Sequence, residues 1–311
     1  MSAREQGKLM YAGYAVNSVG EGRLRQLGKS LKRNSFVDLV LYPYGKYRQE
    51  LLLRSTSRND HHTHTAFYRS PGQMEALVGP VMERLRSGSA SGKLKINVFA
   101  GSSGAEAFTM ASVLMKMFPN LDFEIDCSDL HRDKIAEAES GRFTWMQITQ
   151  GLPIPEQFME ETFDRVGDEY SVKPVIRERV TFSQADIVND NLEDLYEKAD
   201  IICAQNVFCH LDRAAAEKAF WNILKLAKEK AAVFIDGMDP DLRVTLTTAA
   251  GLQPLDFRCR EIYEYTRKHL SFNWWKYYYG REPYLFFKKD KPRRYGTIFF
   301  VEPPRLSRSQ G

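Results

Sequence analysis

Cysteine is scarce in this sequence. There are four in 311 residues, and no two of Cys127, Cys203, Cys209 and Cys259 form a C-x-x-C pair. That spacing excludes a dense disulfide framework and a zinc ribbon. Cys127 and Cys203 lie in apolar stretches of strand character, so reduced and buried thiols are expected. The chain also lacks any uninterrupted apolar run near the roughly 18 to 20 residues of a bilayer crossing. Met1 to Glu5 are not followed by the apolar core of a signal peptide. The reading is therefore a soluble, cytoplasmic protein with no membrane partner. The G-x-G-x-x-G fingerprint of a dinucleotide site is missing, because Gly101 and Gly104 have the wrong spacing. His61, His62 and His64 stand in a polar stretch without a cysteine, so no metal site is expected. The aromatic and basic interleaving of a known RNA-binding motif is also absent, and no nucleic-acid partner is expected.

The remaining composition is that of an ordinary globular protein, 43% hydrophobic and 27% charged, which is enough to bury a sizeable core. Charge is unevenly spread. Residues 1–60 carry 11 Lys and Arg against 5 Asp and Glu, residues 255–311 carry 13 against 6, and the middle carries 20 against 29. Two basic ends thus flank an acidic centre, a pattern that suits either a solvated surface or an anionic partner.

Strand-like and helix-like segments alternate through the centre, as a parallel sheet with crossover helices requires. Strands are expected at 95–101, 122–129, 179–186, 200–207, 231–237, 253–258 and 295–301. Helices are expected at 104–118, 132–140, 212–227 and 242–250. The fold class is α/β, a Rossmann-like doubly wound sheet of seven mostly parallel strands, with a small N-terminal domain or cap over residues 1–60. Two insertions interrupt the rhythm of the 61–311 domain. Residues 141–178 are too long for a simple loop. Residues 259–292 bring Trp274, Trp275, Tyr277, Tyr278, Tyr279, Tyr284, Phe286 and Phe287 close together in a basic setting, which suggests a lid or binding wall. Lys288–Arg294 reads as a solvated charged turn between strands.

In a doubly wound sheet a ligand sits beyond the carboxyl ends of the strands. After the first strand, the small residues Ala100, Gly101, Ser102, Ser103 and Gly104 let backbone approach a ligand beside a helix N-terminus. Glu106 in the first helical turn would repel a pyrophosphate and attract an ammonium, which favours S-adenosylmethionine (SAM) over NAD. After the second strand, Asp129 is placed to accept both ribose hydroxyls, with Leu130 beside it. After the third, Asp186 and Ile187 are placed to hold an adenine.

Several motifs recur in the same order in the CheR-type protein-glutamate methyltransferases, a branch of the class I SAM-dependent methyltransferases. Thr65-Ala66-Phe67-Tyr68-Arg69 is similar to the family's T-x-F-F-R, and Ser102-Ser103-Gly104-Ala105-Glu106-Ala107-Phe108 resembles its S-T-G-E-E-P-Y. Cys127-Ser128-Asp129-Leu130 resembles A-T-D-I, and Asp200 to Asp212 resembles D-x-I-x-C-R-N-V-x-I-Y-F-D. The resemblance covers roughly residues 63–240. It implies cofactor contacts at Thr65, Arg69, Ala100, Glu106, Asp129, Asp186, Ile187, Asn206 and Val207, with Arg69 near the methyl-transfer centre. Gln205 and His210 stand where the family has an arginine and a tyrosine, and Ala105 replaces a glutamate.

These departures concern the acceptor more than the cofactor. The primary expectation is methyl transfer from SAM, leaving S-adenosylhomocysteine, to a small anionic or aromatic acceptor under Trp274, Trp275 and Tyr278. A protein glutamate is the alternative acceptor, and a non-catalytic SAM-binding module is the third reading. Should the acceptor carry a proton, His210 is the candidate base.

Overall fold

A computed structural model describes residues 35–55, 65–87, 92–150, 153–268 and 282–302. In chain order these form α1 (Ser35–Ser55), α2 (Pro71–Ala76), a π turn at Leu77–Val81, α3 (Met82–Arg86), β1 (Leu94–Phe99), α4 (Ala105–Met117), β2 (Phe123–Asp129) and α5 (Arg132–Ser140). There follow β3 (Arg142–Thr144), α6 (Trp145–Thr149), α7 (Glu156–Thr162), β4 (Phe163–Val166), β5 (Glu169–Val172), α8 (Pro174–Arg177) and β6 (Val180–Gln184). The last part holds β7 (Ala199–Gln205), α9 (Arg213–Leu224), β8 (Ala227–Asp236), α10 (Pro240–Ala249), β9 (Gln253–Pro254), α11 (Cys259–Lys268), α12 (Lys291–Tyr295) and β10 (Ile298–Val301).

The main sheet runs β6-β2-β1-β7-β8-β10-β9. Strands β6, β2, β1, β7 and β8 pair in parallel, while β10 is antiparallel to both β8 and β9. The chain winds outward from β1 in one direction and then from β7 in the other, so a crevice opens where β1 and β7 adjoin. Both faces of the sheet are buried, and alternation along each strand divides its side chains between two cores. On one face Ile201, Cys203, Ala232, Phe234, Ile298 and Phe300 pack with α2 to α4. On the other Ile202, Ala204, Val233, Ile235 and Phe299 pack with Phe220 and Ile223 of α9 and Leu242 and Leu246 of α10. These seven strands are the seven expected from the sequence.

Several boundaries differ: α9 ends at Leu224 and β8 starts at Ala227, four residues before the expected 231. The expected strand at 253–258 is only Gln253–Pro254, at the sheet edge where a proline costs no ladder bond. The last strand starts at Ile298, and Tyr295 instead closes the short helix α12, which has Pro292 in its first turn. Tyr295 is fully buried against Tyr263 and Tyr284. Lys288–Arg294 is accordingly no simple solvated turn, since Arg294 is buried and ion-pairs with buried Glu282 and with Asp241 at 2.8 Å.

The 141–178 insertion folds into a three-stranded antiparallel sheet, β3-β5-β4. It is joined to the main core by Phe67, whose ring meets Phe143 and Phe163 edge-on at 5.0 Å each. Most of the expected 1–60 domain, together with His61, His62, His64, Trp274, Trp275 and Tyr277 to Tyr279, lies outside the described residues. Within that domain α1 is a helix docked on the main fold. Lys46 bridges Asp239 and Asp241, and buried Gln49 donates to the Cys209 carbonyl at 2.8 Å. None of the helices among the described residues is long and apolar enough to cross a membrane.

Candidate functional site

One cavity lies over the carboxyl ends of β1, β2, β6 and β7, and the residues singled out along the sequence meet around it. Thr65, Arg69, Ala100, Ser102, Glu106, Asp129, Leu130, Asp186, Ile187, Asn206, Val207 and His210 all line it. Gly101 does not. Its role is packing, because a Cβ there would stand 2.2 Å from the Cys127 sulfur. The β1–α4 turn lies so low on the sheet that Gly104, with φ at +82°, also faces the Phe182 ring with no room for a side chain.

Backbone strain concentrates here. Tyr68, Ala100, Ser102 and Asn206 all line the cavity and all hold φ between +50° and +57° without being glycine. Such residues are uncommon and persist where the surroundings enforce them. Asn206 donates its amide to the Asp236 carbonyl at 2.9 Å, and a Cβ on the next residue, Gly237, would lie 2.6 Å from the Asn206 Cα. The turns after β7 and β8 can therefore touch.

Three carboxylates follow one another along the cavity. Glu106, in the first turn of α4, accepts a hydrogen bond from Gln205 Nε2 at 2.7 Å. Burial pushes its pKa up to about 7, against the opposing pull of Arg69 and Gln205 and with a smaller push from Asp236. Asp129 ends β2 and accepts from the Ser102 and His131 amides at 2.8 and 2.9 Å. Burial raises its pKa as well, partly offset by those two amides. Each of its oxygens retains a second lone pair for a ligand hydroxyl. Asp186 caps its own turn, accepting from the Val188 amide and the Asn189 side chain, both at 2.9 Å.

Several lining residues escaped sequence reasoning. Gln205 carried a signal, since it interrupts the family motif, but its bond to Glu106 is a tertiary fact. Tyr68, Gln73, Met74 and Thr109 also line the cavity, and nothing in their spacing separates them from core positions. Gln73 Oε1 and Asn206 Oδ1 are buried with no hydrogen-bond partner among the described residues. Such acceptors are costly unless a ligand donor meets them.

The aromatic wall is not found among the described residues. Trp274, Trp275 and Tyr278 fall outside them. The described aromatics of that segment do not line the cavity: Tyr263 and Tyr284 pack on Tyr295, and Phe286 and Phe287 are exposed.

The strand order, with a seventh strand antiparallel beside β8 and an acidic crevice at the β1/β7 boundary, defines the class as a SAM-binding methyltransferase fold. The CheR methyltransferase SAM-binding domain matches residues 63–242, and the chain belongs to that family. A chemotaxis protein methyltransferase of Listeria monocytogenes serovar 1/2a is 26% identical over 176 residues, 56% of this chain and 64% of that protein. The chain thus spans just under two thirds of that relative's length. A probable chemotaxis protein methyltransferase of Rhizobium etli is 23% identical over 217 residues, 68% of this chain and 78% of the relative. Among solved structures, magnesium protoporphyrin IX methyltransferase from Synechocystis PCC 6803 with bound SAM is 14% identical, covering 60% of this chain and 71% of that one at a TM-score of 0.34.

Proposed function

We propose that this protein transfers a methyl group from SAM to a glutamate carboxylate of a protein. The observation that carries the reading is the ordered set of Glu106, Asp129 and Asp186 along one cavity that Arg69 and His210 also line. The cavity fits the cofactor chemically. Half-buried Glu106 offers a carboxylate to an ammonium, and the unmatched oxygens of Asn206 and Gln73 can accept from ligand donors. Glu106 would hold the ammonium of the amino-acid end, Asp129 the two ribose hydroxyls, and Asp186 with Ile187 the adenine. Thr65, Ala100, Ser102, Leu130, Asn206 and Val207 complete the contact surface.

Bound there, SAM supplies a methyl group on a sulfonium, and S-adenosylhomocysteine is the product. Arg69 would orient the acceptor carboxylate through a bidentate contact. An acceptor oxygen lone pair forms the new C–O bond as the C–S bond breaks, and its electron pair returns to sulfur. No proton moves, so the carboxylate route needs no base. Opposite charges cancel along the way, and a site that excludes water favours that loss of charge. What the chain supplies is position and desolvation.

The relatives' names, chemotaxis protein methyltransferases, support a protein acceptor over a small one. The small-molecule reading placed its acceptor under Trp274, Trp275 and Tyr278, which lie outside the described residues. A test incubates the protein with methyl-tritiated SAM and a bacterial membrane and cytosol extract, then treats the macromolecular fraction with alkali. The expected label is protein-bound and released as volatile methanol, as a methyl ester requires. Label that resists alkali, or that appears only in small molecules, would overturn the acceptor assignment.

A further inference from the structure

Beside the sheet edge formed by β10 and β9, the chain turns sharply between Glu282 and α12, and the tip of the turn is apolar. Phe286 is 80% exposed and Phe287 64%, their rings edge to face at 5.6 Å. Two adjacent aromatic rings in water are costly, and here the fold holds them there. The Lys288 amide closes the turn on the Leu285 carbonyl, the Leu285 amide donates to the Tyr295 hydroxyl at 3.1 Å, and Lys291 Nζ grips the Phe286 carbonyl at 3.0 Å. Beneath them Tyr295 donates to buried Glu282, itself paired with Arg294. The tip is a hydrogen-bonded protrusion on a buried anchor.

Its charge has one sign. Lys288 and Lys289 are exposed, Lys291 lies beside them, and Asp290, the acid of the tip, is paired with Arg293 at 3.1 Å. The strand β10, which follows α12, starts at the cavity end of the sheet. The Thr297 carbonyl, just before β10, accepts from Ile235 near the end of β8, and cavity-lining Gln73 donates to the Thr297 hydroxyl.

We propose that this tip is a docking surface for an anionic lipid membrane, with Phe286 and Phe287 entering the headgroup layer and Lys288, Lys289 and Lys291 meeting its negative charge. The choice of lipid over protein rests on residue type. Lysine is depleted from protein interfaces, where arginine is enriched, whereas each lysine near an anionic bilayer surface raises partition by about fivefold. An aromatic pair with a lysine collar matches a surface that is apolar below and acidic above. The absence of a spanning segment in the sequence bears on crossing a bilayer and leaves peripheral contact open.

The test sediments the full chain with sucrose-loaded vesicles of equal parts phosphatidylcholine and phosphatidylglycerol, with pure phosphatidylcholine vesicles and polyglutamate resin as controls. The variants are F286A/F287A and K288E/K289E, with SAM affinity measured in each to show that the fold is retained. We expect binding to the mixed vesicles alone, weakened by salt and reduced at least about tenfold in each variant. Absence of wild-type sedimentation with the mixed vesicles would overturn the proposal, as would variants that sediment like the wild type. Retention on polyglutamate that the variants lose, without vesicle binding, would assign the tip to an acidic protein instead.

Discussion

Gln205 donates its side-chain amide to the Glu106 carboxylate at 2.7 Å, tying the end of β7 to the first turn of α4 across the β1/β7 crevice. Burial pushes the Glu106 pKa up and outweighs the downward pull of Arg69 and of the Gln205 bond, with a smaller push from Asp236. The carboxyl therefore titrates near neutrality, with consequences for both ligand binding and stability.

With a pKa near 7 in the free protein, Glu106 must lose its proton to receive an ammonium. SAM affinity should rise with pH up to about 7 and then level off, and binding below that pH should release a proton. Calorimetry in buffers of different ionisation enthalpy measures that release, and Glu106→Gln should abolish it while weakening binding. Stability runs the other way. Between the ordinary value of 4.5 and about 7 the native state holds a proton that the unfolded chain has lost. The contribution of Glu106 is thus fully favourable at low pH and is lost as pH rises through that window. A pH-independent SAM affinity would remove Glu106 from the ammonium site.

Asp129→Asn should weaken SAM binding by roughly 1.5 to 3 kcal/mol, the worth of one hydrogen bond to an anion, since the amide keeps one acceptor oxygen. It should also lower the melting temperature, because an amide cannot accept from both the Ser102 and His131 N–H groups as the carboxylate does. Unchanged affinity by calorimetry would sink the ribose assignment.

His210→Phe separates acceptor chemistries. Removing a general base costs about 10²- to 10⁴-fold in turnover, but a carboxylate acceptor has no proton to give up. Single-turnover rates within about tenfold of wild type, with SAM affinity retained, are the outcome expected for a glutamate acceptor. A loss of about 10²-fold or more would mean a hydroxyl or amine acceptor.

Gln49 is 2% exposed and holds the carbonyl of Cys209, the residue before His210. Gln49→Leu leaves that carbonyl unmatched and should cost about 1 to 2 kcal/mol of stability. Because the turn held by this bond runs from the proposed cofactor contacts Asn206 and Val207 to His210, SAM affinity should fall, while turnover at saturating SAM stays within about tenfold of wild type. Parallel loss of both would show that α1 supports the whole cavity.

Glu282→Ala would leave Arg294, which is 7% exposed, with the more exposed Asp241 as its remaining ion-pair partner, and remove an acceptor of the Tyr295 hydroxyl. Breaking a buried pair by deleting one partner costs about 3 to 5 kcal/mol, measurable by denaturant unfolding. A loss below about 1 kcal/mol, the scale of surface pairs, would place the pair in water.

The sheet was legible in the sequence because its strands are buried on both faces and read as apolar runs such as Ile201–Ala204 and Ala231–Ile235. Acids or small residues mark the point where each run meets the crevice. Asp129 and Glu106 were legible for the same reason, each standing immediately beyond a strand or at the start of the following helix. The segment 288–295 was misread because Lys, Arg and Tyr have no fixed preference for water. Arg294 and Tyr295 turn inward only because Glu282, distant in the pattern, is delivered to them. Local sequence thus determined the order of strands and helices and the residues at the carboxyl ends, since both follow from spacing and side-chain type. The Gln205–Glu106 bond, the hold of Gln49 on the turn before His210 and the exposed Phe286–Phe287 tip were decided by tertiary structure alone. Each depends on which distant groups the packed sheet brings within hydrogen-bonding reach, and no local pattern encodes that distance.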